Sequence, residues 1–191
     1  MLSSNGRAPV NAGEAAAFVD DLAQRHLDAA YNLGRWLLGN DQDAADAVHD
    51  AFVRALRSAH TYAGGNARAW WLAIVRNCCL VNIALRRREA NLQSLDATAM
   101  PILASDSGAN AVEEHTEASQ RRALIADHLR RLPAEFREAL ILREFEDMSY
   151  RDIADVLHVP IGTVMSRLAR GRVLLQRALA ATLAQEQTHG L

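Results

Sequence analysis

The chain has 191 residues, enough for one medium domain or two small ones, and half of them are apolar with few aromatics. Scarce Gly and Pro together with abundant Ala and Leu favour an all-α protein. The sequence shows no signal peptide and no apolar run of about eighteen residues, which excludes membrane insertion and predicts a cytoplasmic protein.

The net charge of −2 conceals an uneven charge distribution along the chain. All 21 basic residues are Arg, and residues 96–118 carry five acids and no base. Residues 119–177 carry eleven Arg against eight acids. An acidic connector therefore masks a basic distal part, so the overall charge does not exclude nucleic-acid binding.

The first predicted helix covers residues 14–38, where apolar residues such as Phe18 and Leu22 recur at helical spacing. Gly39 is expected to end it, and Asn40 or Asp41 to begin the next helix. Residues 1–13 are typical of a disordered leader.

The second predicted helix, residues 41–60, has two different faces. The apolar face contains Ala44, Val48, Ala51, Phe52 and Ala55. The other face carries Asp43, Asp46 and Asp50, spaced three and four apart. Two interpretations stay open, a solvated acidic face or a docking surface for a basic helical partner.

The third predicted helix, residues 67–89, has an expected core stripe of Trp70, Ile74, Asn77 or Cys78, Val81 and Leu85. The neighbouring Trp70 and Trp71 cannot both face the core. Arg76, Asn77 and the final run Arg86–Arg88 suit a nucleic-acid strand, although arginines are favoured at any helix C-terminus. Cys78 and Cys79 are interpreted as buried small residues, because adjacent cysteines rarely form a disulfide and no zinc-type spacing occurs.

The periodicity breaks in residues 91–118, which predict a flexible acidic linker. We therefore predict two small helical domains, residues 14–90 and 119–185, joined by this linker. In the second domain one helix is expected before Pro133 and another after it, the latter carrying Phe136, Leu140 and Leu142.

The residues from Met148 to Arg170 predict a helix-turn-helix. Ser149 is placed to cap the first helix, with Asp152 three residues later. A turn of two residues follows, and Pro160 suits the first turn of a second helix.

The second helix of this motif has an apolar and a cationic face. The apolar face is formed by Val164, Leu168 and Leu175, with Ile161 and Leu179 nearby. Nearly opposite are Ser166, Arg170 and Val173, flanked by Thr163, Met165, Arg167 and Ala169. Four arginines and no acid occur from Pro160 to Arg177. Small polar residues beside arginines are typical of a helix that enters the DNA major groove.

Several motifs carry a family resemblance. The distal ones are Leu132-Pro133-x-x-x-Arg137, Leu142-Arg143-Glu144, Met148-Ser149-Tyr150-x-x-Ile153-Ala154 and Gly162-Thr163-Val164-x-Ser166-Arg167-x-x-Arg170. The proximal ones are Leu38-Gly39-Asn40, Asp43-Ala44-x-Asp46-x-Val48-x-Asp50-x-Phe52 and Arg68-Ala69-Trp70-x-x-x-Ile74-x-x-Asn77. They closely resemble the fourth and second regions of bacterial sigma-70-type initiation factors of the extracytoplasmic-function class, over roughly residues 119–180 and 20–90.

The resemblance implies an alternative sigma factor that catalyses no reaction and gives promoter specificity to core RNA polymerase. Its first domain would dock on the clamp helices of the largest polymerase subunit and open the minus-10 element. Its second domain would sit on the polymerase flap and read the minus-35 element in promoter DNA. An anti-sigma factor is a further expected partner.

The resemblance also implies roles for individual residues. The polymerase-facing acids would be Asp43, Asp46 and Asp50. The minus-10 contacts would be Asn77, with Arg76, Arg86 and Arg87 as nearby cations. The minus-35 contacts would be Thr163, Met165, Ser166, Arg167 and Arg170.

Four positions, at three places in the chain, depart from the family pattern. His49-Asp50 stands where Gln-Glu is common, so polymerase affinity or selectivity is expected to differ. Val81 occupies a position that is often polar in minus-10 binding. Met165 replaces a frequent Arg or Lys, which removes one phosphate or guanine contact.

The alternative from another class is a helix-turn-helix transcription factor that binds a duplex operator without polymerase. Against it, the proximal half shows no phosphoacceptor-type αβ alternation and no ligand-site signature. An enzyme is disfavoured because the sequence has no metal-ligand spacing, nucleophile motif or phosphate loop, so neither cofactor nor metal is predicted.

Overall fold

The computed structural model describes residues 12–96 and 117–189. The predicted leader up to residue 11 and residues 97–116 of the predicted linker lie outside the described residues. No strand occurs in the described part, and the all-α prediction is confirmed. The chain divides into two compact units, Met1–Gly108 and Ala109–Leu191.

Residues 12–96, the described part of the first unit, contain four helices and a short 3-10 turn. The helices are α1 (Ala12–Arg25), α2 (Leu27–Leu38), α3 (Asp41–Ser58) and α4 (Ala67–Asp96), and the turn is Ala59–Thr61. Gly39 ends α2 in the left-handed conformation at φ 87°, and the Asn40 side chain caps α3 by accepting a hydrogen bond from the Asp43 backbone N–H. Both predicted caps are confirmed.

The helix predicted for residues 14–38 is interrupted at His26, whose φ of −120° and ψ of 24° are not helical. Helical hydrogen bonds nevertheless cross the break, from His26 N to Leu22 O and from Ala30 N to His26 O. The break involves neither Gly nor Pro, so the sequence gives no sign of it.

The core of the first unit lies between α2, α3 and α4. Leu33, Ala44, Ala51, Trp71, Leu72 and Val75 are completely buried there. Gly34 permits close packing of α2 on α3, because a Cβ at this position would lie 3.2 Å from the Ala44 Cα. A larger residue would force these two helices apart.

The core stripe predicted for α4 is wrong at Trp70, Val81 and Leu85, whereas Cys78, which the prediction also included, is buried. Trp71 is fully buried, whereas Trp70 is half-buried and packs beside Phe18 and Tyr62 at ring-centroid distances of 6.1 and 5.6 Å. Val81 and Leu85 are 42% and 55% exposed. Apolar residues run along two adjacent faces of this helix, so periodicity alone does not distinguish them. The helix also continues seven residues beyond the predicted end at Glu89, to Asp96.

In the second unit, the described residues 117–189 form four helices and a π-helical segment. The helices are α5 (Glu117–Arg131), α6 (Ala134–Leu140), α7 (Tyr150–Leu157) and α8 (Ile161–His189), and the π segment is Ile141–Phe145. Gly171 of α8 packs against α6, where a Cβ would lie 3.0 Å from Leu140 Cδ1. The π segment replaces part of the predicted regular helix, and its wider turn appears in the hydrogen bond from Glu146 N to Ile141 O.

Helices α7 and α8 form the predicted helix-turn-helix. The Ser149 side chain accepts a hydrogen bond from Asp152 N at 3.1 Å, and its hydroxyl donates to the Asp152 carboxylate at 2.7 Å, as the capping pattern predicted. His158 ends α7 in the left-handed conformation at φ 54°.

We expect His158→Gly to stabilise the second unit by about 1 kcal/mol, because a side chain disfavours the left-handed conformation and glycine does not. Thermal or urea unfolding of the full chain measures the change. His158→Ala is the control, since alanine keeps the Cβ but, like glycine, removes the contact of the His158 ring Nδ1 with the Val156 carbonyl, so it should be less stable than the glycine variant. A glycine variant no more stable than the alanine variant would contradict the strain argument.

Candidate nucleic-acid interface and acidic docking surface

The first predicted DNA-binding surface is the outward face of α8. Ser166 and Arg170 are exposed, Met165 is 54% exposed, and Thr163 and Arg167 are half-buried. The Ser166 hydroxyl donates to the Thr163 carbonyl at 2.9 Å, which keeps this side chain close to the helix. The outward face is therefore small, polar and cationic near its start, a shape that a major groove admits.

The opposite face of α8 is buried as predicted at Val164 and Leu168, which are 0% and 1% exposed. Ile161 departs from the prediction, because it is 50% exposed. Ile161 is the first residue of α8.

Arg172 has a different environment from Arg170. Its Nη2 and Nε donate to Glu144 Oε1 of the π segment at 2.8 and 3.2 Å. The hydrogen bond that Arg172 donates to the Glu144 carboxylate raises the pKa of the Arg172 guanidinium, with smaller contributions from Tyr150 in the same direction and a lowering effect of burial against them. Arg172 is thus held within the second unit.

The Arg143 side chain connects the π segment to the start of α7. Its Nη1 donates to the Met148 carbonyl at 2.8 Å, and its guanidinium carbon lies 5.5 Å from the centre of the Tyr150 ring. A guanidinium at this distance from an aromatic face makes a favourable cation–π contact. The motif residues Arg143, Glu144 and Tyr150 therefore fix the local geometry of the helix-turn-helix.

The acidic face of α3 is split into two parts. Asp46 and Asp50 are exposed, as a docking surface requires. Asp43 is only 8% exposed, is hydrogen-bonded to the Asn40 side chain and forms an ion pair with Arg86 of α4. Asp43, which was predicted to contact polymerase, is therefore paired with Arg86, which was predicted to contact the minus-10 DNA.

A groove of about 520 Å³ lies next to this acidic face. Its walls include Leu27 and Tyr31 from α2 and Val48, His49 and Phe52 from α3. Leu27 is 51% exposed, and Trp71 also lines the groove. Among the described residues the buried Trp71 Nε1 has no hydrogen-bond partner. The sequence assigned Val48 and Phe52 to the apolar face of α3, where Val48 is buried and Phe52 half-buried, and did not indicate the groove.

The candidate minus-10 residues lie along α4. Asn77 and Arg87 are exposed, Arg76 is half-buried, and Arg86 is paired with Asp43. Asn77 lies just before the buried Cys78 and Cys79, so the helix presents it on a face away from the core.

Cys78 and Cys79 are both buried, and neither forms a disulfide. Burial raises the pKa of the Cys78 thiol, which keeps this group protonated and poorly nucleophilic. The interpretation as small core residues is confirmed for both.

In the described parts of the chain no group of three or more acidic, His or Cys side chains is arranged to hold a metal ion. None of the described helices is long and apolar enough to cross a membrane.

Two of these features could not be predicted from the sequence pattern. The Arg172–Glu144 pair joins residues 28 positions apart, and the Asp43–Arg86 pair joins two separate helices. Periodicity assigns a side chain to a face of its own helix but does not identify a partner on another element.

Comparison with known proteins agrees with the geometry of both units. The family described as Sigma-70 region 2 matches residues 22–89, and the family described as Sigma-70, region 4 matches residues 122–180. These two ranges contain all of the candidate site residues in both units.

Curated relatives match most of this chain. The extracytoplasmic-function (ECF) RNA polymerase sigma factor SigE of Mycolicibacterium smegmatis is 34% identical, and the match covers 84% of this chain but only 61% of that longer relative. The RNA polymerase sigma-H factor of Pseudomonas aeruginosa is 33% identical over 74% of this chain and 76% of the relative.

Solved structures show the same fold. The sigma factor RpoE of Bartonella quintana, determined in complex with the anti-sigma factor NepR, is 27% identical and has a TM-score of 0.66 over 84% of this chain and 98% of that chain. CnrH, solved with the cytosolic domain of CnrY, is 23% identical with a TM-score of 0.61 over 91% of this chain and 97% of that chain, a similarity of fold alone. With both regions matched and relatives above 30% identity, the chain belongs to the sigma-70 family, in its class of extracytoplasmic-function RNA polymerase sigma factors.

Proposed function

We propose that this chain binds core RNA polymerase and directs transcription from specific promoters, with the work divided between its two units. The observation that carries the proposal is the pairing of two separate surfaces in one chain. The first unit presents exposed acids beside an apolar groove, and the second presents a helix-turn-helix with a cationic outer face. We assign these roles to the domains at residues 14–90 and 119–185, joined by the segment 91–118.

Asp46 and Asp50 are the proposed charged contacts to the clamp helices of the largest polymerase subunit. The groove lined by Leu27, Val48 and Phe52 supplies apolar area next to them. Apolar burial provides affinity, while the charges guide the approach and orientation of a basic helical partner. Asp43 belongs to the same acidic helix, but its carboxylate is already paired with Arg86, so we assign it a supporting role.

For the minus-10 element, Asn77 is the proposed base contact, since its amide can both donate and accept hydrogen bonds. The exposed Arg87 and the neighbouring Arg76 are the proposed strand-binding cations. Arg86 can reach DNA only by exchanging its ion pair with Asp43.

For the minus-35 element, Ser166 and Arg170 are the proposed base-reading residues of α8. Thr163, Met165 and Arg167 flank them on the same helix. The second unit would also contact the polymerase flap, which places the helix over the upstream promoter DNA.

The proposed partners also include an anti-sigma factor. The sigma factor RpoE of Bartonella quintana described above was determined in complex with the anti-sigma factor NepR. Because the chain acts on polymerase and promoter DNA, we place it in the cytoplasm. Its role requires neither cofactor nor catalysis, since promoter selection depends on binding energy alone.

Formation of a holoenzyme is the direct test of the first part of this proposal. The purified chain mixed with core RNA polymerase should co-elute with it in size-exclusion chromatography. A chain that binds duplex operators tightly but never co-elutes with polymerase would favour the alternative, a helix-turn-helix transcription factor acting alone.

Introducing a cation at Met165 should restore a missing DNA contact. We expect Met165→Arg to bind promoter DNA more tightly at low salt and to steepen the dependence of log K on log salt by about one ion, because one more phosphate is neutralised. The measurement is a salt titration of holoenzyme binding to a promoter fragment. Met165→Gln is the uncharged control, and an equal slope for both variants would contradict a position of residue 165 near the phosphates.

A further inference from the structure

The arginines of α8 do not all point in the same direction. Arg170 and Arg172 are two residues apart, which on an α-helix is about 200° around the axis. Arg170 lies on the exposed face beside Ser166, whereas Arg172 turns toward the π segment. The count of four arginines on this helix therefore overstates the number available to DNA.

Two of the three nitrogens of the Arg172 guanidinium are used within the unit. Nε and Nη2 each donate to the same oxygen of Glu144, 28 residues earlier in the chain. Glu144 belongs to the π segment, which also carries Arg143. The guanidinium of Arg143 covers the ring of Tyr150, the first residue of α7. Charged and aromatic contacts thus link the π segment to both helices of the helix-turn-helix.

These contacts lie at the surface. The side chains of Arg172 and Glu144 are 50% and 49% exposed, so their ion pair contributes little to folding stability. A pair that adds little to stability but joins the reading helix to a separate element acts mainly on orientation. An error of about 1 Å or more than about 10–20° at this helix is enough to weaken base contacts made by other side chains.

We propose that Glu144, Arg172 and Tyr150, with Arg143, form a frame that positions α8 for minus-35 recognition, and that Arg172 acts through Glu144 and makes no DNA contact itself. The inference rests on the proposed function of α8 as the minus-35 reader. Arg172 and Glu144 are then positioning residues of DNA recognition.

The competing interpretation of Arg172 is a phosphate contact, and the two interpretations predict opposite signs for Glu144. If the pair positions α8, Glu144→Ala and Arg172→Ala should each weaken holoenzyme binding to a selected promoter by about fivefold, with the salt slope unchanged. The double variant should be no weaker than either single variant, because residues that act as one unit are non-additive. If Arg172 contacts phosphate, Arg172→Ala should flatten the slope by about one ion, and Glu144→Ala should tighten binding by removing a competing anion.

The experiment uses holoenzyme assembled from the full chain and core polymerase, with promoters carrying the selected or a scrambled minus-35 element. The charge swap Glu144→Arg with Arg172→Glu should recover most of the lost discrimination between the two promoters, a result that simple misfolding would not give. Arg177→Ala, which removes the same charge from the same helix, should leave discrimination unchanged. Circular dichroism and the thermal midpoint establish that each variant is folded.

Tighter binding by Glu144→Ala, a flattened slope for Arg172→Ala, or no loss in either variant would overturn the proposal. Failure of the wild-type holoenzyme to distinguish the two promoters would instead refute the proposed function of α8. Failure of this proposal would be seen in the Glu144 and Arg172 variants, and failure of the proposed function in the wild-type holoenzyme, so the two are distinguishable.

Discussion

Replacing Asp46 and Asp50 together by Arg will weaken the complex with core RNA polymerase by about 30-fold. Both carboxylates are exposed on α3 beside the apolar groove, so reversal converts attraction to a basic partner into repulsion. A cost of about 1 kcal/mol for each reversed charge gives this factor. The measurement is the dissociation constant of the holoenzyme, determined by competition or fluorescence at physiological salt.

The matched control changes the same amount of charge in the second unit. Glu135 and Asp155 are exposed acids there, and their joint replacement by Arg should alter the dissociation constant far less. Unchanged polymerase binding by the Asp46 and Asp50 variant would remove the acidic face from the interface and leave it as a solvated surface.

Arg170→Ala will cost about 1–3 kcal/mol of binding free energy on the preferred minus-35 sequence. Arg170 is exposed on the outward face of α8, and the arginine fork can donate two hydrogen bonds to guanine O6 and N7. The loss should be larger on the preferred element than on a scrambled one. The measurement is the dissociation constant of the holoenzyme for each of the two promoters at the same salt concentration, and the ratio of these two constants gives the selectivity.

Arg170→Lys separates charge from geometry at this position. Lysine keeps the positive charge but lacks the planar fork, so we expect binding to scrambled DNA to persist while selectivity falls. If Arg170→Ala reduces binding to both sequences equally, Arg170 is a phosphate contact and another residue of α8 supplies the specificity.

The parts of this fold that could be predicted from the sequence depend on local physics. Gly39, Asn40 and Ser149 are helix-capping residues whose preferences arise from their own backbone and side-chain chemistry, and each caps the expected helix. The buried face of α8 at Val164 and Leu168 follows from helical periodicity.

The missed features depend on contacts between distant elements. Trp70 and Trp71 are equally suitable for a core, and only the arrangement of the neighbouring helices decides that Trp71 is buried while Trp70 packs beside Phe18 and Tyr62. Asp43 has the spacing of an exposed acid, but α4 packs against α3 and brings Arg86 next to it. For the same reason, the sequence of a single helix does not predict the groove beside α3, because residues from several helices form its walls.

The most direct measurement is run-off transcription by core RNA polymerase on a promoter library, with and without the full chain. We predict that adding the chain produces defined transcripts from a subset of promoters sharing minus-10 and minus-35 elements. Transcription should be lost with the Asp46 and Asp50 double reversal and should lose its minus-35 preference with Arg170→Ala. Failure of the wild-type chain to start transcription at any promoter, despite tight binding of α8 to duplex DNA, would contradict the account.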